Sequence, residues 1–122
     1  MIMNKHVLVG ISGGIASYKT LTLIRLFVKN GYEVKVIATP NALEFVTPLT
    51  LETLSSNKLY VDMFETNVQR TTEHISLSQW ADVVVIAPAT ANCIAKMAMG
   101  IADDALSTTV LACKKPIFIA PS

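Results

Sequence analysis

Four consecutive branched apolar residues, Val83 to Ile86, constrain the fold of this chain most strongly. A run of this kind is typical of a strand that is buried on both faces, as in a parallel sheet covered by helices. The chain continues through Ala87-Pro88-Ala89 into the small residues 90–93, which open a predicted helix. In open α/β sheets ligands bind beyond the carboxyl ends of the strands, and helix N-termini favour anions. The pattern therefore predicts an anion site after this strand.

Strands and helices alternate along the chain with short connections, which favours a parallel sheet with right-handed crossovers. The predicted strands cover residues 5–11, 32–39, 58–64, 82–88 and 116–121. The predicted helices cover residues 14–30, 47–56, 73–81 and 90–99, with one more from Asp103 or Asp104 to about Lys114 and another that begins at Thr39-Pro40. Gly31 is predicted to end a helix as a left-handed cap, and Gly100 is predicted to end the helix 90–99. Residues 65–72 are predicted to form a loop.

Composition limits the class of partner. The 122 residues fit one domain, and a net charge of +1 gives no electrostatic reason to expect nucleic acid or an anionic membrane as a partner. No apolar run has the length of a membrane span. Cys93 and Cys113 lack metal-ligand spacing, so we predict no metal site and reduced thiols in a cytoplasmic protein. The hydrophobic share of 52% indicates doubly buried strands or surface hidden in an oligomer.

A second glycine-containing loop, residues 10–16, follows the first predicted strand. It differs from the dinucleotide pattern G-x-G-x-x-G because Ser12 occupies the second glycine position, and Thr39 stands where such folds place an acidic residue. It also differs from a Walker A loop, because Tyr18 replaces the required glycine. The hydroxyls of Ser12, Thr39 and Thr90, with glycine amides, suit the terminal phosphate of a mononucleotide such as FMN. Each feature alone is typical of a turn or a helix cap; together they favour a site.

Four segments carry a resemblance to a known family: residues 10–16 (GISGGIA), 74–82 (HISLSQWAD), 88–93 (PATANC) and 100–104 (GIADD). Together they resemble the homo-oligomeric flavin-containing cysteine decarboxylases over essentially the whole chain. The chain is most similar to the branch that acts on phosphopantothenoylcysteine, found as the N-terminal domain of bacterial bifunctional coenzyme A biosynthesis proteins. The resemblance implies a Rossmann-like (flavodoxin-like) doubly wound parallel sheet in three α/β/α layers. It also implies that residues 1–122 form a single FMN-binding flavoprotein domain.

The resemblance also implies site residues. His74 matches the catalytic histidine of the family, beside the flavin. The residues expected to bind FMN are Ser12, Gly13, Gly14, Ile15, Thr39, Thr90, Ala91, Asn92 and Cys93. The family motif at the last loop reads Pro-Ala-Ser-Ala-Asn-Thr, so Thr90 keeps the hydroxyl whereas Cys93 offers a weaker thiol donor.

The implied activity is FMN-dependent decarboxylation of 4′-phosphopantothenoylcysteine to 4′-phosphopantetheine, in a trimer or dodecamer. Three alternatives stay open: a peptide cysteine decarboxylase, a flavin prenyltransferase and a non-catalytic FMN-binding subunit. The family has a Pro-Ala-Met-Asn segment after its last strand here, and a later clamp with a catalytic Cys. Neither appears before Ser122, so we expect a C-terminally truncated domain that binds FMN yet fails to complete the second half-reaction, the return of the hydride from the reduced flavin.

Overall fold

The computed structural model describes residues 5–13, 17–61, 75–102 and 105–121. Within them, one five-stranded parallel sheet has the order β3-β2-β1-β4-β5. Its strands are β1 (His6–Ile11), β2 (Glu33–Ala38), β3 (Tyr60–Val61), β4 (Val83–Ala89) and β5 (Ile117–Pro121). The predicted parallel, doubly wound sheet is confirmed. Its order is that of the Rossmann fold, whereas flavodoxin has the order 2-1-3-4-5.

Helices cover both faces of the sheet. They are α1 (Ser17–Lys29), α2 (Pro48–Ser55), α3 (residues 75–80), α4 (Ala91–Met99) and α5 (Ala105–Ala112). Successive side chains of a strand point to opposite faces, and β1 shows the result. Val9 packs in a core with Ile24 of α1, whereas its neighbour Leu8 packs in a second core with Leu106 of α5. The three predicted layers are therefore present.

None of the helices in the described ranges combines the length and the apolar character that a bilayer crossing requires.

The prediction that a helix begins at Thr39-Pro40 is wrong. The chain forms only a short 3₁₀ helix there, Ala42–Glu44, and Ala42 is fully buried. A proline disfavours helical backbone in the residue before it, and Thr47 precedes Pro48 in an extended conformation (φ −88°, ψ 150°). The segment therefore has room for one turn before α2 begins.

Other predicted helix ends are confirmed. Thr47 is the N-cap of α2, and its hydroxyl oxygen accepts a hydrogen bond from the Thr50 amide at 3.2 Å. Gly31 and Gly100 have positive φ angles of 87° and 69°. The predicted loop 65–72, residues 62–64 of the predicted strand 58–64 and the cap at Asp103 or Asp104 lie outside the described residues.

Gly10 allows a helix to approach the central strand closely. A Cβ atom at this buried position would lie 2.6 Å from Leu106 Cδ1 and 3.0 Å from Ile86 Cδ1. Real Cβ atoms do not approach other carbons so closely, so any larger residue must displace the α5 side chain. The absence of a side chain at Gly10 therefore sets how α5 packs on the sheet.

Gly10→Val is expected to lower the free energy of unfolding by about 1–3 kcal/mol, because overpacking forces neighbours out of their preferred rotamers. Urea unfolding monitored by circular dichroism would measure this change. In a Leu106→Ala background the added cost of Gly10→Val should be smaller, since the colliding methyl group is gone. An equal cost in both backgrounds would contradict this contact.

Candidate functional site

The candidate site lies where the ends of β2, β1 and β4 stand side by side. The order in which strands are added to the sheet reverses at β1. Strands β2 and β3 lie on one side of β1, and strands β4 and β5 lie on the other side. Ligands of α/β sheets bind at such a switch point. Two backbone hydrogen bonds link the three ends: Thr39 N donates to Ile11 O at 2.9 Å, and Ser12 N donates to Pro88 O at 3.3 Å. The predicted convergence of the three loops is confirmed.

The Ser12 side chain connects the loop after β1 with the loop after β4 by hydrogen bonds. Its hydroxyl donates to the Pro88 carbonyl at 2.7 Å and accepts a hydrogen bond from the Thr90 amide at 2.9 Å. The side chain is only 5% exposed. A serine hydroxyl has one proton, and here both the hydroxyl and the amide of Ser12 donate to Pro88 O. Ser12 therefore positions the Thr90 loop in this structure, and a direct contact from its hydroxyl proton to a phosphate is not what the geometry offers.

Thr90 begins α4 and presents a donor. It is the N-cap residue (φ −75°, ψ 161°), and its hydroxyl oxygen accepts a hydrogen bond from Cys93 N at 3.2 Å. Because this oxygen acts as the acceptor, its proton remains to be donated to a ligand. Ala91 and Asn92 follow in the first turn and are exposed. First-turn amides have no acceptor within an α-helix and carry the positive end of its dipole, so this end of α4 suits an anion.

Gly13 and Thr39 bring the first and second loops together. Gly13 has a φ of +86°, a conformation that L side chains rarely adopt. A Cβ added there would lie 3.2 Å from Asn41 Cβ, so the two loops are in close contact. Thr39 is half-buried beside this contact, and its carbonyl accepts a hydrogen bond from Ala42 N at 3.0 Å. The backbone of both loops is thereby fixed.

Cys93, predicted to contact FMN, has a buried side chain. It is 8% exposed and belongs to the hydrophobic core that contains Leu8 and Ile86. A thiol packs as a small apolar group, which fits this position. His74, Gly14 and Ile15, predicted respectively as the catalytic residue and as FMN ligands, lie outside the described residues.

Thr20 is a site residue that the sequence analysis did not identify. It is 3% exposed on α1, and its hydroxyl donates to the Ala87 carbonyl of β4 at 2.7 Å. Thr20 precedes the buried residue Ile24 by four positions and so lies on the apolar face of the helix. A polar residue on a buried helix face needs a hydrogen-bond partner. The position of Thr20 on the apolar face was therefore the sequence signal that could have identified it.

The described part of the site contains donors and no carboxylate. Residues 10–13, 39–41 and 88–93 read GISG, TPN and PATANC, without Asp or Glu. The hydroxyl of Thr90, the amide group of Asn92 and the first-turn amides of α4 can all donate hydrogen bonds. The site is therefore built for an anionic group such as a phosphate monoester.

Residues 1–122 match the sequence profile of a family described as Flavoprotein. The coenzyme A biosynthesis bifunctional protein CoaBC of Borreliella burgdorferi is 49% identical over 120 residues, which are 98% of this chain and 30% of that protein. The chain thus spans about 30% of the length of the curated relatives it matches.

Solved structures share the fold. An FMN-dependent cysteine decarboxylase, SpaF, has a TM-score of 0.82 and 34% identity, with 96% of this chain and 67% of that chain covered. A PPC decarboxylase mutant complexed with pantothenoylaminoethenethiol has a TM-score of 0.81 and 30% identity, with 98% of this chain and 68% of that chain covered. These likenesses agree with the α/β architecture described above.

Ser12→Ala is expected to lower the free energy of unfolding by about 1–3 kcal/mol, because it leaves the Thr90 amide without its acceptor. Chemical denaturation would measure the loss, and hydrogen exchange at the Thr90 amide should become faster. Ser78→Ala is the matched control. Ser78 is also buried, at 4% exposed, but its hydroxyl donates to Ile75 O within α3, so exchange at Thr90 should not change. Unchanged exchange at Thr90 in Ser12→Ala would contradict the bridging role of Ser12.

Proposed function

The chain belongs to the Flavoprotein family, and from this premise we propose that it binds FMN and decarboxylates 4′-phosphopantothenoylcysteine to 4′-phosphopantetheine. The observation that carries the proposal is the meeting of three strand-end loops at the β1/β4 switch point, with donor groups and no carboxylate among the described site residues. The curated relatives named for coenzyme A biosynthesis favour this substrate over the other cysteine derivatives.

The described residues fit the phosphate end of FMN. The Thr90 hydroxyl proton and the first-turn amides of α4 would donate to phosphate oxygens, assisted by the helix dipole. Gly13, which has no side chain, lets the backbone of the first loop come close to the ligand. Thr39 and Asn92 border the same edge of the sheet, and we propose them as further contacts. Gly14 and Ile15 remain predicted contacts of the first loop.

When bound, FMN supplies reversible two-electron redox chemistry at the thiol-bearing carbon of the substrate, which makes loss of the neighbouring carboxylate feasible. The net reaction releases carbon dioxide and places a proton on the carbon that carried the carboxylate, with no net oxidation. The chain contributes orientation and proton handling. We propose that His74 holds or transfers a substrate proton, since the ordinary pKa of a histidine lies near neutral pH.

Further aspects of the proposal concern assembly and location. We propose a homo-oligomer, either a trimer or a dodecamer built from trimers, acting in the cytoplasm on a small molecule. Exposed apolar residues on several elements, among them Leu26, Leu49 and Phe118, are consistent with subunit contacts. The single FMN-binding domain over residues 1–122 remains a prediction.

The protein is expected to bind FMN at least about tenfold more tightly than riboflavin, because riboflavin lacks the phosphate that the loops would hold. Thr90→Asp should remove most of this preference. Aspartate keeps the N-cap of α4 but places a negative charge beside the phosphate, so binding of FMN should weaken while binding of riboflavin stays the same. Titrations monitored by flavin fluorescence would give both dissociation constants.

Thr47→Asp is the matched control, since Thr47 caps α2 with the same hydroxyl-to-amide hydrogen bond. It should leave both affinities unchanged. Equal binding of FMN and riboflavin by the unaltered protein would rule out the phosphate site. A colourless protein that takes up neither flavin would rule out the proposed cofactor altogether.

The FMN-loaded protein is expected to release carbon dioxide from 4′-phosphopantothenoylcysteine and not from a peptide that ends in cysteine. Mass spectrometry of the products would distinguish the two substrates. His74→Asn should retain full flavin content and lose decarboxylation by roughly 10²-fold or more, the usual contribution of a positioned acid or base.

Activity on the peptide alone would favour the peptide decarboxylase alternative, and flavin binding without turnover of either substrate would favour the non-catalytic one. Full activity in His74→Asn would remove the proposed role of that residue.

A further inference from the structure

The pairing of β4 with its neighbouring strands is irregular near the end of the strand. Its pairing with β1 runs from Val7↔Val83 to Gly10↔Ile86. Its pairing with β5 is irregular between Ile86 and Ala89. Ala87 and Pro88 lie in this interval, and a proline has no amide hydrogen to offer a neighbouring strand. The carbonyls of both residues therefore lie where the register of the sheet is irregular.

Two hydroxyl side chains from the β1–α1 region donate to these carbonyls, and the Pro88 carbonyl also accepts a hydrogen bond from Ser12 N at 3.3 Å. Thr20 donates to the Ala87 carbonyl at 2.7 Å, and Ser12 donates to the Pro88 carbonyl at 2.7 Å. Both hydroxyls are buried, and Ala87 is 6% exposed. A buried carbonyl without a partner is costly, so each hydroxyl fixes the peptide group that it contacts. Consecutive peptide groups are thus held by side chains from one neighbouring segment.

We propose that Thr20 is a positioning residue for the phosphate end of the flavin site. It holds the Ala87 peptide group three positions before Thr90, whose hydroxyl and following amides would receive the phosphate. Ser12 forms hydrogen bonds with the Pro88 carbonyl and the Thr90 amide. The side chains of Thr20 and Ser12 together therefore fix the direction in which α4 begins. The role of Thr20 in ordering the loop rests on hydrogen-bond geometry. Its effect on phosphate binding rests on the proposed FMN site.

The Thr20 side chain acts on the site only through the backbone of the 87–93 segment, which it contacts at the Ala87 carbonyl. Its side chain is buried at 3% exposure beneath α1 and contacts the strand end, away from the first-turn amides that a ligand would meet. Loss of its hydroxyl should therefore change the order and direction of the 87–93 segment first, and the affinity for a phosphate second. A residue with only a general stabilising role would lower the free energy of unfolding without this local effect.

The test compares four variants of the full chain. Thr20→Val keeps the branched shape and removes the hydroxyl, whereas Thr20→Ser keeps the hydroxyl. Thr109→Val controls for loss of a buried hydroxyl, because Thr109 is fully buried and donates to Ala105 O within α5 at 2.8 Å. Thr22→Val controls for the same substitution on the exposed side of α1.

The first measurement needs no flavin. Hydrogen exchange at the amides of Thr90 and Cys93, which bond Ser12 Oγ and Thr90 Oγ1, reports the order of the loop. Thr20→Val should accelerate exchange at both amides about tenfold relative to amides in β1, and Thr20→Ser should restore the slow rates. Thr109→Val and Thr22→Val should leave this ratio unchanged.

The second measurement is the dissociation constant for FMN. Thr20→Val should raise it about tenfold, with Thr20→Ser within about threefold of the unaltered protein. Thr109→Val should lower the melting temperature and leave the FMN affinity unchanged.

The proposal is overturned if Thr20→Val leaves both readouts unchanged, if Thr20→Ser fails to restore them, or if Thr109→Val alters them equally. An unaltered protein that does not bind FMN would refute the proposed function, and the exchange ratios would still decide the role of Thr20 in ordering the loop.

Discussion

The hydroxyl of Ser12 is the contact on which the rest of the site depends. It joins the end of β1 to residues 76 and 78 positions further along the chain, as donor to Pro88 O and as acceptor from Thr90 N. Because it is buried, neither hydrogen bond competes with water, and both loops share one geometry. The start of α4 is directed by this contact, and the donors of that helix acquire a fixed direction toward the switch point.

The strand order makes that contact possible. β1 lies between β2 and β4, so the loops after these strands are neighbours although they are distant in sequence. Apolar cores on both faces hold β1 in the centre, and Gly10 gives α5 room against the second face. A site for an anion follows from this arrangement because parallel strands end at the same edge and helices begin there.

The resemblance to the flavin-containing cysteine decarboxylases agrees with the family match and with the structural neighbours. It gave the right family from short motifs, and the structure adds the surroundings of two of the predicted site residues. Ser12 donates its hydroxyl and amide hydrogens to Pro88 O in this structure. The side chain of Cys93, predicted as a weaker donor, packs in the core. Sequence similarity identifies positions; the direction of a side chain depends on what surrounds it.

Local signals in the sequence determined the elements, since strand runs, N-caps and helix-ending glycines act within a few residues. The branched run 83–86, the cap at Thr47 and the helix that follows Thr90 all belong to this class. The Thr39-Pro40 signal failed because Pro48 left no length for a helix. Strand order, the Ser12 bridge and the Thr20 contact were decided by the tertiary structure alone. The Thr20 contact joins groups 67 positions apart, and only the packing of α1 beside β4 brings this buried hydroxyl to the Ala87 carbonyl.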